Sequence, residues 1–396
     1  MTRFLLLASL ALAAVPAIAQ QAPEEIVLTT AVPFLQIEPD SRASGMGMAG
    51  VAVADNAYAP FWNPAGLAGQ EGTEVSFTHA PWLPALGANL SYEHLSAKHG
   101  LGSAGTLGGH LTYFDLGTQT ATDEQGIELG TFSSYEFALG LSYGYPVTEN
   151  LSVGTGARLI YSNLTGGRDI GNNPTSAGTS VGVDLGVKYQ GPELGLGQSS
   201  RPTFAVNLAN MGPGISYVQS TPEDSILVGQ PDAIPTTLRF GLALDTQLDD
   251  FNRVLVALDL NKIIVNKDPA TGDYDPFYEA LFTSWQSRLV KTSTNSGESC
   301  FEADGSENVD AECREVSGLR SLTLGTGLEY WYNDLFALRT GYFYEDPANG
   351  NRQFLTFGTG LRYSLVGVDI SYIYALQENS PLADQLRFSL LLNIPR

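Results

Sequence analysis

The sequence predicts an all-β fold: a transmembrane antiparallel β-barrel of about 14 strands, an even number, with an N-terminal plug in its lumen. Three observations predict it. From Glu74 to the C-terminus, apolar residues alternate with small or polar ones at period two, as strands with unlike faces require. Short and long connections alternate strictly along the same region. The stretch Pro33–Leu67, rich in Gly, Ala and Pro, shows no sustained alternation. The chain therefore divides into an export leader (1–19), a plug segment (20–70) and a barrel (71–396).

The leader reads as a secretory signal peptide. Arg3 precedes the apolar run Phe4–Val15, and Ala17-Ile18-Ala19 supplies an A-x-A cleavage pattern, so the mature chain begins at Gln20 on this reading. The run is too short to span a bilayer as a helix. No other stretch approaches the roughly 18 consecutive apolar residues of a helical span.

Composition narrows the class without deciding it. The chain holds 43 Gly, 18 Tyr and 18 Phe with few charges, which fits a barrel whose strands face lipid on one side and a polar lumen on the other. A secreted β-sandwich has a similar average. The 42 acidic against 20 basic residues exclude nucleic acid as a partner, since phosphates need Lys and Arg. They also argue against docking of a basic patch on anionic lipid. Cys300 and Cys313 lie close together in a polar stretch with no His nearby, so after an export signal they predict a disulfide and no metal site.

The plug segment suits irregular backbone. Gly45, Gly47 and Gly50 permit tight turns, and Asn63-Pro64 favours a bend. A ring of this size, between one filled by its own side chains and an open channel, leaks unless something occupies it. Irregular backbone is tolerable at membrane depth only where protein encloses it.

In the strands, Leu151, Val153, Leu159 and Tyr161 alternate with Ser152, Gly154, Gly156 and Arg158. Phe336, Leu338, Tyr342 and Tyr344 alternate with Ala337, Arg339 and Gly341, and the same rhythm closes the chain at Phe388–Ile394. The small, polar side carries Arg158, Arg239, Asp245, Asp259, Glu329, Arg339, Arg362, Asp369 and Arg387. Charges of both signs around a lumen can pair with each other and with the plug. Tyr143 and Tyr145, Tyr330-Trp331-Tyr332, and Tyr342 and Tyr344 stand near strand ends, where interfacial girdles belong.

Short turns fall near Gly100–Ser103, Pro146–Asn150, Gln190–Ser200, Leu248–Asn252, Asn333–Asp334 and Leu365–Val366. Longer loops fall near Pro81–Gly87, Gly117–Gly130, Asn163–Thr179, Met211–Pro235, Lys262–Gly318, Asp346–Arg352 and Gln377–Ala383. Outer-membrane barrels keep short turns on the periplasmic side and long loops outside. Lys262–Gly318 is too long for a bare connection. Within it, Asp275-Pro276 predicts a helix start with Asp at the N-cap. Phe277, Leu281 and Trp285 then form one apolar face, fit for a lid or for docking a partner.

Catalytic motifs fail on context. Gly140–Gly144 matches G-x-S-x-G but runs from strand to strand, whereas a nucleophile elbow needs a strand-to-helix turn. Gly45–Gly50 and Gly100–Gly105 match G-x-G-x-x-G outside any strand–helix–strand unit. His79, His94, His99 and His110 form no ligand spacing. No catalytic, cofactor or metal site is assigned, and no enzymatic activity is expected.

The same residues carry a resemblance. PFLQIEPDSRASGMGMAGVA (Pro33–Ala52) followed by WNPAGLA (Trp62–Ala68) resembles the N-terminal pattern of the PorV (LptO)/PorQ family, FadL-related outer-membrane barrels of the type IX secretion system. It recurs in YSNLTGG (Tyr161–Gly167), ALDLNK (Ala257–Lys262), EYWYN (Glu329–Asn333), FALRTGYFYE (Phe336–Glu345) and PLADQLRFSLL (Pro381–Leu391). The resemblance points to Pro39, Asp40, Arg42, Gly45, Gly47, Gly50, Trp62, Asn63 and Pro64 as the hatch residues. It implies an outer-membrane location in a Gram-negative cell of the Bacteroidetes type. The implied partners are outer-membrane lipid, the translocon, a surface sortase and the C-terminal domains of secreted cargo. The chain departs from the pattern in ending Leu392-Asn393-Ile394-Pro395-Arg396, without a terminal aromatic, and in its cysteine-bearing insert. Two other readings stand beside it: a FadL-like transporter of hydrophobic small molecules, and a soluble secreted β-sandwich adhesin.

Overall fold

A computed structural model describes residues 30–86, 89–123, 125–168, 175–217, 231–268, 273–291, 300, 313–377 and 380–395. The signal-peptide reading and the first part of the plug segment lie outside them.

Fourteen antiparallel strands close into one barrel. They are β1 (Thr73–Trp82), β2 (Leu90–Gly100), β3 (Thr106–Thr122), β4 (Glu128–Pro146), β5 (Leu151–Asn163), β6 (Gly178–Gln190), β7 (Ser199–Met211), β8 (Thr237–Gln247) and β9 (Asn252–Ile263). After an excursion the ring resumes with β12 (Leu322–Tyr332), β13 (Phe336–Glu345), β14 (Gln353–Tyr363), β15 (Val366–Ala375) and β16 (Gln385–Ile394). Each strand pairs with its sequence neighbours, and β1 closes on β16 from Thr73↔Ile394 to His79↔Phe388. Closure removes every free edge from the ring, the condition for strands to cross a bilayer. Two stacked sheets are excluded, and with them the soluble sandwich reading. No helix among the described residues is long and apolar enough to span a membrane.

The period-two pattern fixes which side chains face out. Leu139 and Leu141 on β4, Val181, Val183 and Leu185 on β6, and Phe388, Leu390 and Leu392 on β16 are all exposed on the outer wall. Their sequence neighbours Gly140, Asp184 and Ser389 are buried. Outward tyrosines stack across strands near the long-loop end, Tyr113 on Tyr135 and Tyr135 on Tyr161, each at 5.9 Å between ring centroids. Tyr143 and Tyr145 mark the opposite end of β4. Trp331 departs from the expected girdle: it faces the lumen and is buried, while Tyr332 beside it is exposed. A run of three aromatics on a strand necessarily places its middle member on the other side.

All six expected short turns fall at one end of the ring and the long connections at the other. One long loop is shorter than expected. Gly117–Gly130 reads as loop from its Gly, Thr and acidic content, yet β3 continues to Thr122 and β4 starts at Glu128. A register shift between Asp115 and Thr118 absorbs Gly117, so the strand pairing survives the interruption.

The excursion between β9 and β12 holds one short helix, α1 (Phe277–Thr283), and a two-stranded sheet of β10 (Arg288–Lys291) and β11 (Cys313–Val316). Cys300 and Cys313 are joined by a disulfide with Cα atoms 5.9 Å apart. Asp275 is not the N-cap. Pro276 holds that position without a side-chain cap, and the Asp275 carboxylate instead accepts hydrogen bonds from Asn266 Nδ2 at 2.8 Å and Thr283 Oγ1 at 2.5 Å.

The outer wall yields a test. Leu141 lies midway along the part of β4 that pairs with β5 and is 74% exposed. Leu141→Arg is expected to destabilise the vesicle-inserted barrel by about 2–4 kcal/mol, read from urea unfolding, whereas Ser142→Ala, facing inward, changes it far less.

Candidate functional site

Pro33–Leu67 is largely buried and hydrogen-bonds to strands of the ring. It carries two 3-10 turns (Pro33–Gln36 and Pro64–Leu67) and two single-turn helices, α2 (Ser41–Ser44) and α3 (Ala59–Trp62). These are too short to satisfy their own backbone groups, so side chains must do so. The Asp40 carboxylate accepts from Ala43 N at 2.9 Å and from Trp62 Nε1 at 2.7 Å, tying α2 to α3. Asn63 Oδ1 accepts from Ala65 N at 3.0 Å and caps the second turn.

The remaining partners come from the wall. Asp259 on β9 accepts from Gly50 N at 2.7 Å and Val51 N at 2.8 Å. Gly47 N donates to Thr356 Oγ1 on β14 at 2.8 Å, and Ser41 N to Ser389 Oγ on β16 at 3.0 Å. Asn207 on β7 and Arg239 on β8 donate to Trp62 O and Phe61 O at 3.0 and 2.8 Å. Asn63 Nδ2 donates to Val187 O on β6 at 3.1 Å, and Glu74 on β1 accepts from Ala57 N at 2.9 Å. The segment thus bonds to side chains or main chain of β1, β6, β7, β8, β9, β14 and β16.

One ionic chain dominates this interior. Arg42 meets Glu329 in a two-pronged pair, Nε–Oε2 at 2.9 Å and Nη2–Oε1 at 2.8 Å, and turns Nη1 to Asp55 at 2.5 Å. Glu329 also accepts from Arg339 at 2.6 Å, Arg339 donates to Asp369 at 2.8 Å, and Asp369 holds Arg362 at 2.6 Å. The sequence Asp55–Arg42–Glu329–Arg339–Asp369–Arg362 alternates in sign and sums to zero. The guanidinium carbons of Arg339 and Arg362 lie 5.4 and 5.3 Å from the Trp331 ring centroid.

Of the expected lumen charges, Arg387 meets Ser44, Arg158 pairs with Asp184 on β6, and Asp245 lies 3.7 Å from Arg253. Five of the nine therefore touch the N-terminal segment directly or stand one link from it in the ionic chain through Glu329: Arg239, Asp259, Glu329, Arg339 and Arg387. Asp55, Glu74, Asn207 and Lys188, whose Nζ donates to Ala54 O at 3.1 Å, complete the contact and escaped the sequence reading. Glu74 and Lys188 sit at inward positions of their strands, a signal that the parity of the neighbouring residues carries.

The wall is also cut to fit. A Cβ placed on Gly341 would lie 2.1 Å from Gly47 N, one on Gly325 2.4 Å from Gly47 O, and one on Gly241 2.6 Å from Ala52 N. Across the lumen, a Cβ on Gly154 would lie 2.2 Å from Ala65 N and one on Gly186 2.0 Å from Asn63 Oδ1. Glycine inside a strand marks close approach of another backbone. Here inward glycines on five separate strands trace the path of one segment. Within that segment, a Cβ on Gly50 would strike the Trp62 ring at 2.3 Å, which fixes why these two hatch residues occur together. Pro39 and Pro64 are buried beside them.

At the long-loop end, Val32, Phe34 and Ile37 pack with Tyr92, Phe114, Ile160, Ile215 and Ile234. Above this cluster a cavity of about 450 Å³ is lined by Ile234, Ile264, Val265, Tyr274, Phe277 and Tyr278 among others. Of the proposed helix face, Phe277 is 36% exposed, while Leu281 and Trp285 are half-buried and Lys262 Nζ lies 4.9 Å from the Trp285 ring centroid. Tyr278 and Phe282, one turn apart on α1, are the more exposed pair. The described residues contain no cluster of three or more metal-ligating side chains.

A family model described as "Type IX secretion system protein PorV" matches residues 20–270. No curated protein sequence matches the chain. Among solved structures, it resembles the Ralstonia pickettii toluene transporter TbuX at 15% identity, covering 90% of this chain and 98% of that one with a TM-score of 0.46. A Pseudomonas aeruginosa FadL homologue is similar at 13% identity, over 90% and 98% of the two chains, with a TM-score of 0.45.

Two variants test the interior. Glu329→Ala leaves Arg42 and Arg339 facing each other with no anion between them and is expected to destabilise by about 3–5 kcal/mol in urea unfolding, while Arg362→Ala at the rim costs less. Gly341→Val is expected to dislodge the N-terminal segment, read as new protease cleavage within residues 33–67 of the folded barrel. Gly109→Val, on the outer side with no atom closer than 3.4 Å, leaves that segment protected.

Proposed function

This chain belongs to the family of type IX secretion system protein PorV, and from that premise we propose that it binds secreted cargo at its long-loop face and links the translocon to a surface sortase. It is an outer-membrane barrel of a secretion system and not an enzyme. On this reading residues 20–70 are a fixed plug, and the protein works through its rim and not through its bore.

The observation that carries the reading is the fit between segment and wall. Backbone lies against backbone at Gly341, Gly325 and Gly154, with no side chain to swing aside. Opening a path would also separate Arg42 from Glu329, whose side chain is fully buried. Breaking a buried ion pair costs about 3–5 kcal/mol. A barrel so filled offers a partner only its ends, and the long loops with α1 make the larger of the two.

The test is a mild-detergent pull-down of the intact chain with mass spectrometry of proteins and lipids. Translocon, sortase and cargo C-terminal domains are expected to co-purify. Tyr278→Ser with Phe282→Ser is expected to lower cargo recovery severalfold without altering barrel stability. Recovery of hydrophobic small molecules alone overturns the reading.

One observation favours a second reading, transport of a hydrophobic small molecule. The 450 Å³ cavity beside Ile234 and Ile264 is within the size range of small-molecule sites. That reading requires the N-terminal segment to move, so locking it by a disulfide between positions 47 and 341 would abolish uptake and leave export unchanged.

A further inference from the structure

The β3–β4 hairpin outgrows the ring. β3 has 17 residues and β4 has 19, against 10 to 13 for the other barrel strands. Pairing of β2 with β3 stops at Ser91↔Asp115, and pairing of β4 with β5 stops at Tyr135↔Asn163. Beyond those points Thr118–Thr122 pairs only with Glu128–Ser133 of its own hairpin. At about 3.3 Å per residue, the projection extends on the order of 20 Å past the neighbouring strands on the long-loop side.

Its two edges are treated differently. The β4 edge is covered: Arg168 donates to Leu129 O at 3.4 Å and Thr131 O at 3.3 Å, with its guanidinium 5.9 Å from the Phe132 ring centroid. Ser134 Oγ adds a bond to Leu164 O at 2.6 Å. On the β3 edge, Gly117 N is taken by Asp115 Oδ1 at 2.8 Å. Past that point, among the described residues, no main-chain hydrogen bond reaches Thr118–Thr122 from the β2 side. Thr118, Gln119, Thr120 and Thr122 are exposed.

A bare strand edge is a template for another strand, and proteins usually blunt it with Lys, Pro or a bulge. Thr118-Gln119-Thr120-Ala121-Thr122 has no Lys or Pro, its register shifts lie at its two ends, between Asp115 and Thr118 and between Ala121 and Thr122, and threonine favours extended backbone. We propose that Thr118–Thr122 is a strand-addition site, filled by an extended segment of an exported protein. This rests on the export reading and names the contact through which it operates. Main-chain bonds supply the attachment, so the site accepts many sequences. Asp115 and Asp123 bracket the edge and favour Lys or Arg flanking the incoming strand.

A second copy of this chain does not fit the site. Two copies in one membrane share an orientation, so their symmetry axis runs along the membrane normal. That axis sets the two β3 edges parallel at equal height, with N–H facing N–H. An antiparallel ladder would require one copy to be inverted.

The experiment places a photo-cross-linking amino acid at Thr120 of the full chain in secreting cells, with Thr131 on the covered edge as reference. Adducts to exported proteins are expected from Thr120 and not from Thr131. Thr118→Lys combined with Thr120→Lys is expected to lower capture of exported proteins by at least about tenfold, with heat-modifiable migration of the barrel unchanged. Capture equal to that of the unmodified chain, or adducts from Thr120 only to a second copy, overturns the strand-addition site while the export reading stands. Absence of exported proteins from the unmodified chain overturns both.

Discussion

The interior of this barrel depends on one carboxylate. Glu329 stands on the wall between Arg42 of the N-terminal segment and Arg339 of the next strand, and accepts from both. Two guanidinium groups this close repel each other unless an anion lies between them. A buried charge is tolerable only when paired and hydrogen-bonded. The wall alone therefore has Glu329 and Asp369 against Arg339 and Arg362, with Glu329 half satisfied until Arg42 arrives. Arg42 in turn needs Asp55, supplied thirteen residues along its own segment. The network is complete only when ring and segment are both in place, and this makes the filled barrel a single unit.

Geometry imposes the same condition on assembly. β1 closes on β16, the most distant pairing in the chain, and Thr78 of β1 and Ser389 of β16 meet at 2.7 Å beside Tyr58 and Ser41 of the segment. Closing the ring first would leave Asp259 without its Gly50 and Val51 donors and Glu329 and Ser389 short of a partner in a space cut off from bulk water. Unmade buried hydrogen bonds cost more than made ones contribute. Closure around the segment avoids that penalty, and the inward glycines leave clearance for backbone and nothing larger.

Strand parity made most of this wall legible. Alternation assigned Arg158, Arg239, Asp259, Glu329, Arg339, Asp369 and Arg387 to the inner face, because a pleated strand gives each residue only two directions. The division of connections into two kinds placed the long loops at one end for the same reason. Two features resisted. Gly117 and the polar residues around it resembled a loop, since a bulge and a turn call for the same residue type; only pairing across the hairpin distinguishes them. The ionic chain was hidden because its links join residues 287 and 10 positions apart, and spacing along a strand says nothing about which charge across the lumen completes it. The inward glycines were visible as small residues, but their meaning needs the second backbone that lies against them.

The two ends of the ring are unequal, and this asymmetry gives the filled bore its consequence. A channel acts along its axis, so its rims need only stay out of the way. Here the interior is occupied by packed backbone and a neutralised chain of charges, while the long-loop rim carries a cavity, a helix with three exposed aromatics and a hairpin with one edge uncovered among the described residues. Each of these is held by strands whose register is fixed by closure. A rigid, filled cylinder transmits little to the other side, but it holds a set of contact elements at constant spacing in a fluid membrane. That suits the proposed role of holding partner proteins at the rim. On that reading, the buried charge between segment and wall stiffens the support on which the rim stands.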